Sequence, residues 1–183
     1  MAGSEIVLIG PRKDELGGGV YYHLFGELGA NIPQPNPAHV KKEIELVLQC
    51  IEQGLALACH DISDGGLGIA IAEMCLGSNG DGEVGARINL THTAFKDKKS
   101  HRQKTLRSDV KLFSETGGFV LEVTPRNLKK LRRLAYQVGV PVIHIGRTMR
   151  SKQLTMIDEK KEILDLKLSN MRTAWTNGLR DKM

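Results

Sequence analysis

The stretch ACHDISDGGLG, residues 58–68, passes from one apolar segment through a polar, glycine-containing turn into a second apolar segment. Residues 55–60 are predicted to form a buried strand, and residues 66–76, rich in Ala, Ile, Leu and Met, a helix. The first backbone N–H groups of a helix have no partner inside it, so a turn from strand to helix favours ligand binding. The turn at residues 60–66 is therefore the first candidate site.

Strands and helices alternate on both sides of this turn. Before it, an apolar run predicts a strand at residues 5–10, and apolar residues at helical spacing predict a helix over residues 39–53. After it, the pattern predicts strands at 84–90, 119–123 and 142–145, a helix at 126–138, a hairpin with strands at 154–157 and 163–166, and a last helix containing Met171, Trp175 and Leu179. This order predicts an α+β fold, a layered α/β/α sandwich with a mixed β-sheet, formed by residues 1–183 as a single domain.

Composition places the chain among ordinary globular proteins. Its 183 residues are 40% apolar and 26% charged, which excludes a disordered or fibrous chain. No apolar run approaches the roughly 20 residues of a membrane helix, and the first residues lack a basic segment followed by a long apolar one. We expect a cytoplasmic protein with no membrane partner.

The three cysteines, Cys50, Cys59 and Cys75, lie in apolar surroundings and show no CxxC spacing. This arrangement predicts neither a disulfide framework nor a zinc site. We expect each of the three thiols to pack in the core, and we assign no metal ligands.

The formal net charge is +5, and much of the excess lies in the run KDKKSHRQKTLR, residues 96–107. A basic run can bind nucleic acid, but this one lacks the aromatic residues on which bases stack. A solvated basic loop is the favoured interpretation, and nucleic-acid binding is a less favoured alternative.

The turn between the second strand and the second helix concentrates polar and small residues: His60, Asp61, Ser63, Asp64, Gly65 and Gly66. The two glycines would let a phosphate approach outward-pointing backbone N–H donors. The two carboxylates would repel that phosphate unless Mg²⁺, or hydroxyl or amine groups of a ligand, lay between them. Alternatively, Ser63 or Asp64 caps the helix. His60, at a strand end, is a candidate acid or base, or else a hydrogen-bonded structural residue.

Two other segments combine acidic residues with glycine. In the run DELGGG at residues 14–19, Asp14, Glu15, Gly17 and Gly18 are candidates, because consecutive glycines are costly in conformational entropy unless the backbone turns tightly or lies against something. A flexible surface loop is an equal alternative. In LFSETGG, residues 112–118, Glu115 precedes two glycines and an apolar strand.

Several familiar catalytic motifs are missing from the sequence. There is no GxxxxGK[ST] phosphate loop and no GxGxxG after a strand, and GxSxG and HExxH are also missing. These absences count against a self-contained kinase, dehydrogenase, hydrolase or zinc protease.

Read together, DELGGGVYYHLFG (residues 14–26), ACHDISDGGLGIAIAEM (58–74) and LFSETGGFVLEV (112–123) resemble the C-terminal domains of the aminoimidazole ribonucleotide synthetase superfamily. HDISDGGL at residues 60–67 is most similar to the purine enzymes, and DELGG to the group of phosphoribosylformylglycinamidine synthase II, the synthetase subunit of formylglycinamide ribonucleotide amidotransferase. GARINL, IGR and AWTNGL extend the resemblance over nearly the whole chain. Gly19 and Val20 depart from it, because that group commonly has serine and glutamate there.

The resemblance implies an ATP-dependent carbon–nitrogen ligase of purine biosynthesis. In that reaction the γ-phosphate of ATP activates the amide oxygen of formylglycinamide ribonucleotide, and ammonia from a partner glutaminase gives the amidine. An N-terminal domain of the enzyme carries most contacts to ATP and Mg²⁺, so this chain alone is expected to hold neither. We expect it to contribute no catalytic residue, to be inactive in isolation, and to self-associate through the apolar face that meets that domain.

The resemblance also implies binding roles for the candidate residues. Gly65 and Gly66 would offer backbone donors, and Glu115 would orient neighbouring groups. Sugar hydroxyls or metal-bound water would be held by Asp61, Ser63 and Asp64. A hypothesis from another class is a non-catalytic structural module of the same superfamily, since the synthase has two related halves.

Overall fold

The computed structural model describes residues 2–77, 83–93 and 106–178. The strands in these ranges are β1 Glu5–Ile9, β2 Ala56–Asp61, β3 Gly85–Asn89, β4 Phe119–Val123, β5 Val142–Met149, β6 Gln153–Asp158 and β7 Lys161–Lys167. The helices are α1 Val20–His23, α2 Pro37–Glu52, α3 Gly66–Leu76, α4 Ser108–Phe113, α5 Pro125–Val138 and α6 Leu168–Asn177.

The strands form one sheet in the order β2-β4-β1-β5-β3-β6-β7. Neighbouring strands are antiparallel except for β3 and β6, which run parallel. All five residues of β1 are buried, because strands pair with both of its edges and helices cover both of its faces. The prediction of a mixed sheet is confirmed.

Each face of the sheet has its own apolar core. Alternate side chains of a strand point to opposite faces. Val7 and Ile9 of β1 therefore pack in one cluster with buried residues of α2 and α5, whereas Ile6 and Leu8 pack in another with residues of α3, α4 and α6. The two clusters with the sheet between them confirm the predicted α/β/α sandwich.

The long helices begin and end close to the predicted positions. The side chain of Asn36 caps α2, accepting hydrogen bonds from the N–H groups of Ala38 and His39 at 3.0 and 3.2 Å. Proline occupies the first position of both α2 and α5, where its missing N–H has no cost. Gly139 ends α5 at φ 72°, a left-handed conformation that favours glycine.

Helix α4 was not predicted. Its six residues are too few for a helical period to show, and it is stabilised by tertiary contacts. Val110 and Leu112 are buried, and the ammonium group of the buried Lys111 lies 2.7 and 2.8 Å from the two carboxylate oxygens of Asp158 on β6.

The prediction that every cysteine packs in the core is wrong for Cys59. Cys50 and Cys75 are buried, whereas Cys59 is exposed. Cys59 lies on β2, the outermost strand of the sheet at that edge, where the helix layers leave alternate side chains uncovered.

Two observations concern partners considered from the sequence, a membrane and nucleic acid. In the described part of the chain, no helix is both long enough and apolar enough to cross a bilayer. Most of the basic run, residues 96–105, lies outside the described residues. At its end, the guanidinium of Arg107 donates to the carboxylate of Asp109, with one N···O distance of 3.0 Å.

Candidate functional site

The carboxylate of Glu115 joins the three segments singled out in the sequence. Its Oε1 accepts hydrogen bonds from the backbone N–H of Val20 and from that of Gly65, both at 2.9 Å. Val20 follows the glycine loop and Gly65 precedes α3. One side chain from the α4–β4 connection therefore holds the loop of residues 14–19 next to the turn of residues 60–66.

The glycines of the first loop lie against other parts of the chain. The N–H groups of Gly17 and Gly18 donate to the carbonyl oxygens of Asn31 and Leu28 at 2.7 and 2.8 Å. A Cβ at Gly17 would lie 2.9 Å from the backbone of Asn31, and one at Gly19 would lie 3.0 Å from the carboxyl carbon of Glu115. Close packing therefore explains these glycines better than a flexible surface loop does.

The acidic residues of that loop have different surroundings. Asp14 is exposed, whereas Glu15 is half-buried and forms an ion pair with Lys13 at 3.6 Å. The backbone carbonyl of Glu15 accepts a hydrogen bond from the hydroxyl of Ser114 at 3.2 Å. Of the two, Asp14 is the one presented to solvent.

An aromatic contact fixes helix α1 on helix α4. The ring of Tyr21 stacks on that of Phe113, with centroids 4.6 Å apart and an interplanar angle of 7°. Phe25 meets Tyr21 edge to face at 5.3 Å but is largely exposed, as is Leu24. The apolar residues after the glycine loop thus dock it near Glu115 while leaving an apolar surface uncovered.

The imidazole of His60 is engaged within the fold. Its Nε2 lies 3.3 Å from a carboxylate oxygen of Glu73 on α3, and its Nδ1 lies 2.7 Å from the carbonyl oxygen of Asp61. These contacts favour the structural interpretation of His60 over an acid or base role.

The capping interpretation of the turn is wrong. The N-cap of α3 is Gly65, at φ 76°, and no side chain caps the helix. Ser63 contributes only its backbone carbonyl, which accepts from the N–H of Gly66 at 3.0 Å. The side chains of Asp61, Ser63 and Asp64 are exposed, so their polar groups face solvent rather than the helix end.

The expectation of outward-pointing backbone donors is also wrong. The N–H of Gly65 donates to Glu115 and that of Gly66 to Ser63, and both glycines are buried. A Cβ at Gly66 would lie 2.7 Å from the carbonyl oxygen of Leu112. The second glycine is therefore needed where α3 meets the end of α4, and the polar side chains, not these two amides, face outward.

The buried side chain of Arg12, for which the sequence predicted no role, holds the connection between α4 and β4 that contains Glu115. The side chain of Arg12 is fully buried and donates to the carbonyl oxygens of Ser114, at 3.1 Å, and Gly117. Burial lowers the pKa of Arg12 to about 10, against the opposing effect of the carboxylates of Glu43 and Glu15. It remains charged at neutral pH. Arginine is rarely buried, so only its position just after an apolar strand could have indicated this role.

Among the described residues, no group of three His, Cys, Asp or Glu side chains is arranged to hold a metal ion. The chemistry that this part of the chain offers is polar contact through exposed carboxylates and hydroxyls, on a backbone held in place by Glu115 and Arg12.

Residues 1–159 match the family described as AIR synthase related protein, C-terminal domain. The chain belongs to this family. A curated relative, the phosphoribosylformylglycinamidine synthase subunit PurL of Methanothrix thermoacetophila, is 33% identical over 183 residues, which are 100% of this chain and 22% of the relative. The chain thus spans about a fifth of that relative's length, and the resemblance seen in the sequence is confirmed.

Solved structures show the same fold. T. maritima PurL complexed with FGAR superposes with a TM-score of 0.78 at 17% identity, covering 93% of this chain and 28% of that one. The same protein complexed with ATP gives a TM-score of 0.70 at 17% identity, covering 93% and 26%.

Proposed function

We propose that this chain acts as the C-terminal domain of an ATP-dependent synthase that converts formylglycinamide ribonucleotide and glutamine-derived ammonia to formylglycinamidine ribonucleotide in purine biosynthesis. The observation that carries the proposal is the junction at Glu115, where the three segments that mark the resemblance meet through two hydrogen bonds of 2.9 Å. The match to a PurL subunit over all 183 residues supports it.

In this proposal the exposed side chains of the turn contact the substrate. Asp61, Ser63 and Asp64 would accept hydrogen bonds from sugar hydroxyls or from metal-bound water. Glu115 would act as a positioning residue, because its carboxylate is already used by two backbone N–H groups. Much of the rate gain in phosphoryl transfer comes from positioning and electrostatics, which such a domain can supply without a catalytic residue of its own.

ATP and Mg²⁺ would be held mainly by the N-terminal type of domain of the synthase, and ammonia would come from a partner glutaminase. T. maritima PurL, which is much longer than this chain, is similar in fold and has been solved with ATP. Where Mg²⁺ takes part, Asp61 and Asp64 would accept hydrogen bonds from its bound water, since no group of three His, Cys, Asp or Glu side chains among the described residues is arranged to hold the ion itself.

The outer side of α2 is the surface that we propose meets a neighbouring domain, or a second copy in its absence. Ile44, Leu48 and Ile51 repeat at helical spacing from the middle of the helix to its end and are all exposed. Exposed apolar rows of this kind mark interaction sites on soluble domains.

The proposal is tested in a complete synthase containing this domain by Asp64→Asn. Asp64 caps no helix, so the variant should keep its melting temperature, while turnover or substrate affinity falls tenfold or more, about 1.4 kcal/mol. Asp165→Asn, at an exposed position on β7, is the control and should leave both quantities unchanged. Full activity in Asp64→Asn would favour the non-catalytic structural module instead. The isolated chain should neither hydrolyse ATP nor form the amidine.

A further inference from the structure

A cavity of about 500 Å³ opens on the opposite side of the Glu115 loop, at the end of β1. It lies between the first half of α2 and the end of α5, and the turn at residues 116–118 forms part of its wall. Its volume is within the range of roughly 300 to 1,000 Å³ that small-molecule sites occupy. None of the residues proposed to contact the synthase substrate lines it.

The lining combines apolar side chains with bare backbone. Val40 of α2, Val140 and the largely exposed ring of Tyr136 provide apolar surface. Gly117 and Gly139 have positive φ values, and a Cβ at either position would meet no heavy atom within 4 Å. Such a lining accommodates a flat apolar ring, because no side chain projects from the glycine backbone.

The charged groups around the cavity are mostly cationic. Lys13 and Lys42 line it beside the imidazole of His39, and Glu43 is the one carboxylate among the described lining residues. Behind the wall, the buried guanidinium of Arg12 lies 3.4 Å from the position of a Cβ on Gly118. The positive charge near the cavity therefore comes from side chains and not from the N-terminal end of a helix.

The start of α2 adds little to that charge. The side chain of Asn36 already accepts the N–H groups of Ala38 and His39, and Pro37 has no N–H. The ammonium of Lys13 already pairs with Glu15 at 3.6 Å, so an anionic group entering the cavity would be held by Lys42 and His39, and by Lys13 only in competition with Glu15.

We propose that this cavity binds an aryl phosphate, a small molecule with a flat aromatic ring and one phosphate group. The ring would lie against Val40, Tyr136 and Val140, and the phosphate toward Lys42 and His39. Glu43 opposes the phosphate and limits its affinity. The cavity is separate from the surface of Asp61, Ser63 and Asp64, so aryl phosphate binding and substrate contact at that surface are tested independently.

The test is isothermal titration calorimetry, which measures the affinity of the chain for 2-naphthyl phosphate and, in separate titrations, for 2-naphthol and for inorganic phosphate. Both parts of the molecule contribute to binding in the proposed site, so each fragment should bind at least tenfold more weakly than the whole probe. Equal binding of 2-naphthol, or no binding of 2-naphthyl phosphate, overturns the proposal.

A pair of tryptophan variants locates the site. Val40→Trp places a large ring in the cavity and should weaken binding of 2-naphthyl phosphate tenfold or more. Leu57→Trp adds the same ring on β2, outside the cavity, and should not change it. Both positions are partly exposed, so both variants should fold, which circular dichroism checks. Unchanged binding in Val40→Trp, or equal weakening in both variants, contradicts the assignment.

Charge variants give changes of opposite sign. Lys42→Gln should weaken binding of 2-naphthyl phosphate several-fold, whereas Lys41→Gln, next to it but outside the cavity lining, should not. Glu43→Gln should strengthen binding, because it removes the carboxylate that opposes the phosphate. A loss of affinity in Glu43→Gln would show that the ligand's charge has been assigned with the wrong sign.

Discussion

Lys111 and Glu115 lie four residues apart on the segment that ends α4, yet their surroundings differ. Lys111 is fully buried, and its ammonium group contacts both carboxylate oxygens of Asp158, one of which also accepts from Ser108 at 2.8 Å. Glu115 is partly exposed and accepts two backbone N–H groups from separate loops.

The two side chains therefore have different tasks: Lys111 anchors a helix, whereas Glu115 organises the candidate site. Moving both charges of a buried ion pair out of water is costly, so the Lys111–Asp158 pair fixes where α4 lies on β6 without necessarily increasing net stability. Glu115 instead orders two loops, one of which carries exposed polar side chains. We infer that the first pair serves the fold and that the second residue serves the candidate site.

Removing one partner of the buried pair should have the largest effect on stability. Asp158→Ala leaves the ammonium of Lys111 buried without its counter-charge, and the free energy of unfolding should fall by about 3 to 5 kcal/mol. Denaturation by urea measures it. Asp165→Ala, an exposed position on the neighbouring strand, should change stability by less than about 0.5 kcal/mol.

The double variant Lys111→Met with Asp158→Leu sharpens this comparison. Because both charges are then gone and the volume is partly kept, the loss of stability should be much smaller than in Asp158→Ala. A double variant as unstable as the single one would mean that the pair contributes net stability, contrary to the anchoring role.

Glu115→Ala should have an intermediate effect. It leaves the N–H groups of Val20 and Gly65 without their acceptor, which should cost about 1 to 3 kcal/mol of unfolding free energy. Glu115→Gln keeps an acceptor oxygen and should cost less. In a complete synthase both variants should lower turnover, and a Glu115→Gln enzyme with full activity would argue against a positioning role.

The smallest effect concerns Glu43, a half-buried carboxylate that lines the cavity. Burial raises the pKa of Glu43, against the opposing influence of Arg12, His39 and Lys13. A pKa higher in the folded than in the unfolded state means that the folded state binds the proton more tightly. The resulting stability is present below the unfolded pKa of about 4.3 and is lost as pH rises through the folded value.

As the pH is raised above about 4, the unfolded pKa range of glutamate, Glu43→Gln should therefore lose less stability than the unchanged protein does. Urea denaturation at a series of pH values measures the slope. Glu45→Gln, at an exposed position on the same helix, should keep the slope of the unchanged protein. Identical slopes in all three proteins would show that Glu43 titrates alike in both states.

The sequence predicted the elements whose apolar pattern reports burial directly. The strands β1 and β4 and the helices α2, α3 and α5 lie within a few residues of their predicted bounds. Helix α4 was missed because its six residues are too few for a helical period to show, and its place is fixed by contacts with residues far along the chain. The burial of Arg12 and Lys111 was missed for a related reason. A charged residue is predicted to be exposed unless its buried partner is known.

For the candidate site, the sequence indicated which segments matter but not how their groups point. The meeting of residues 14–19, 60–66 and Glu115 could be expected from the resemblance. The direction of the Gly65 N–H could not, because it depends on an acceptor 50 positions further along the chain. The cavity between α2 and α5 was also not predicted, since packing of distant elements creates it.

The position of β1 in the sheet has a consequence for the order of folding. This strand pairs with β4 and β5, so Glu5 must meet Val123 on one side and Arg147 on the other. Pairings so distant along the chain close large loops and slow the folding reaction. At roughly 5 to 20 residues per second of synthesis, β1 waits on the order of ten seconds for its partners to be made. Throughout that interval the apolar run EIVLI has neither neighbour, and a chaperone that binds extended apolar segments would find it there.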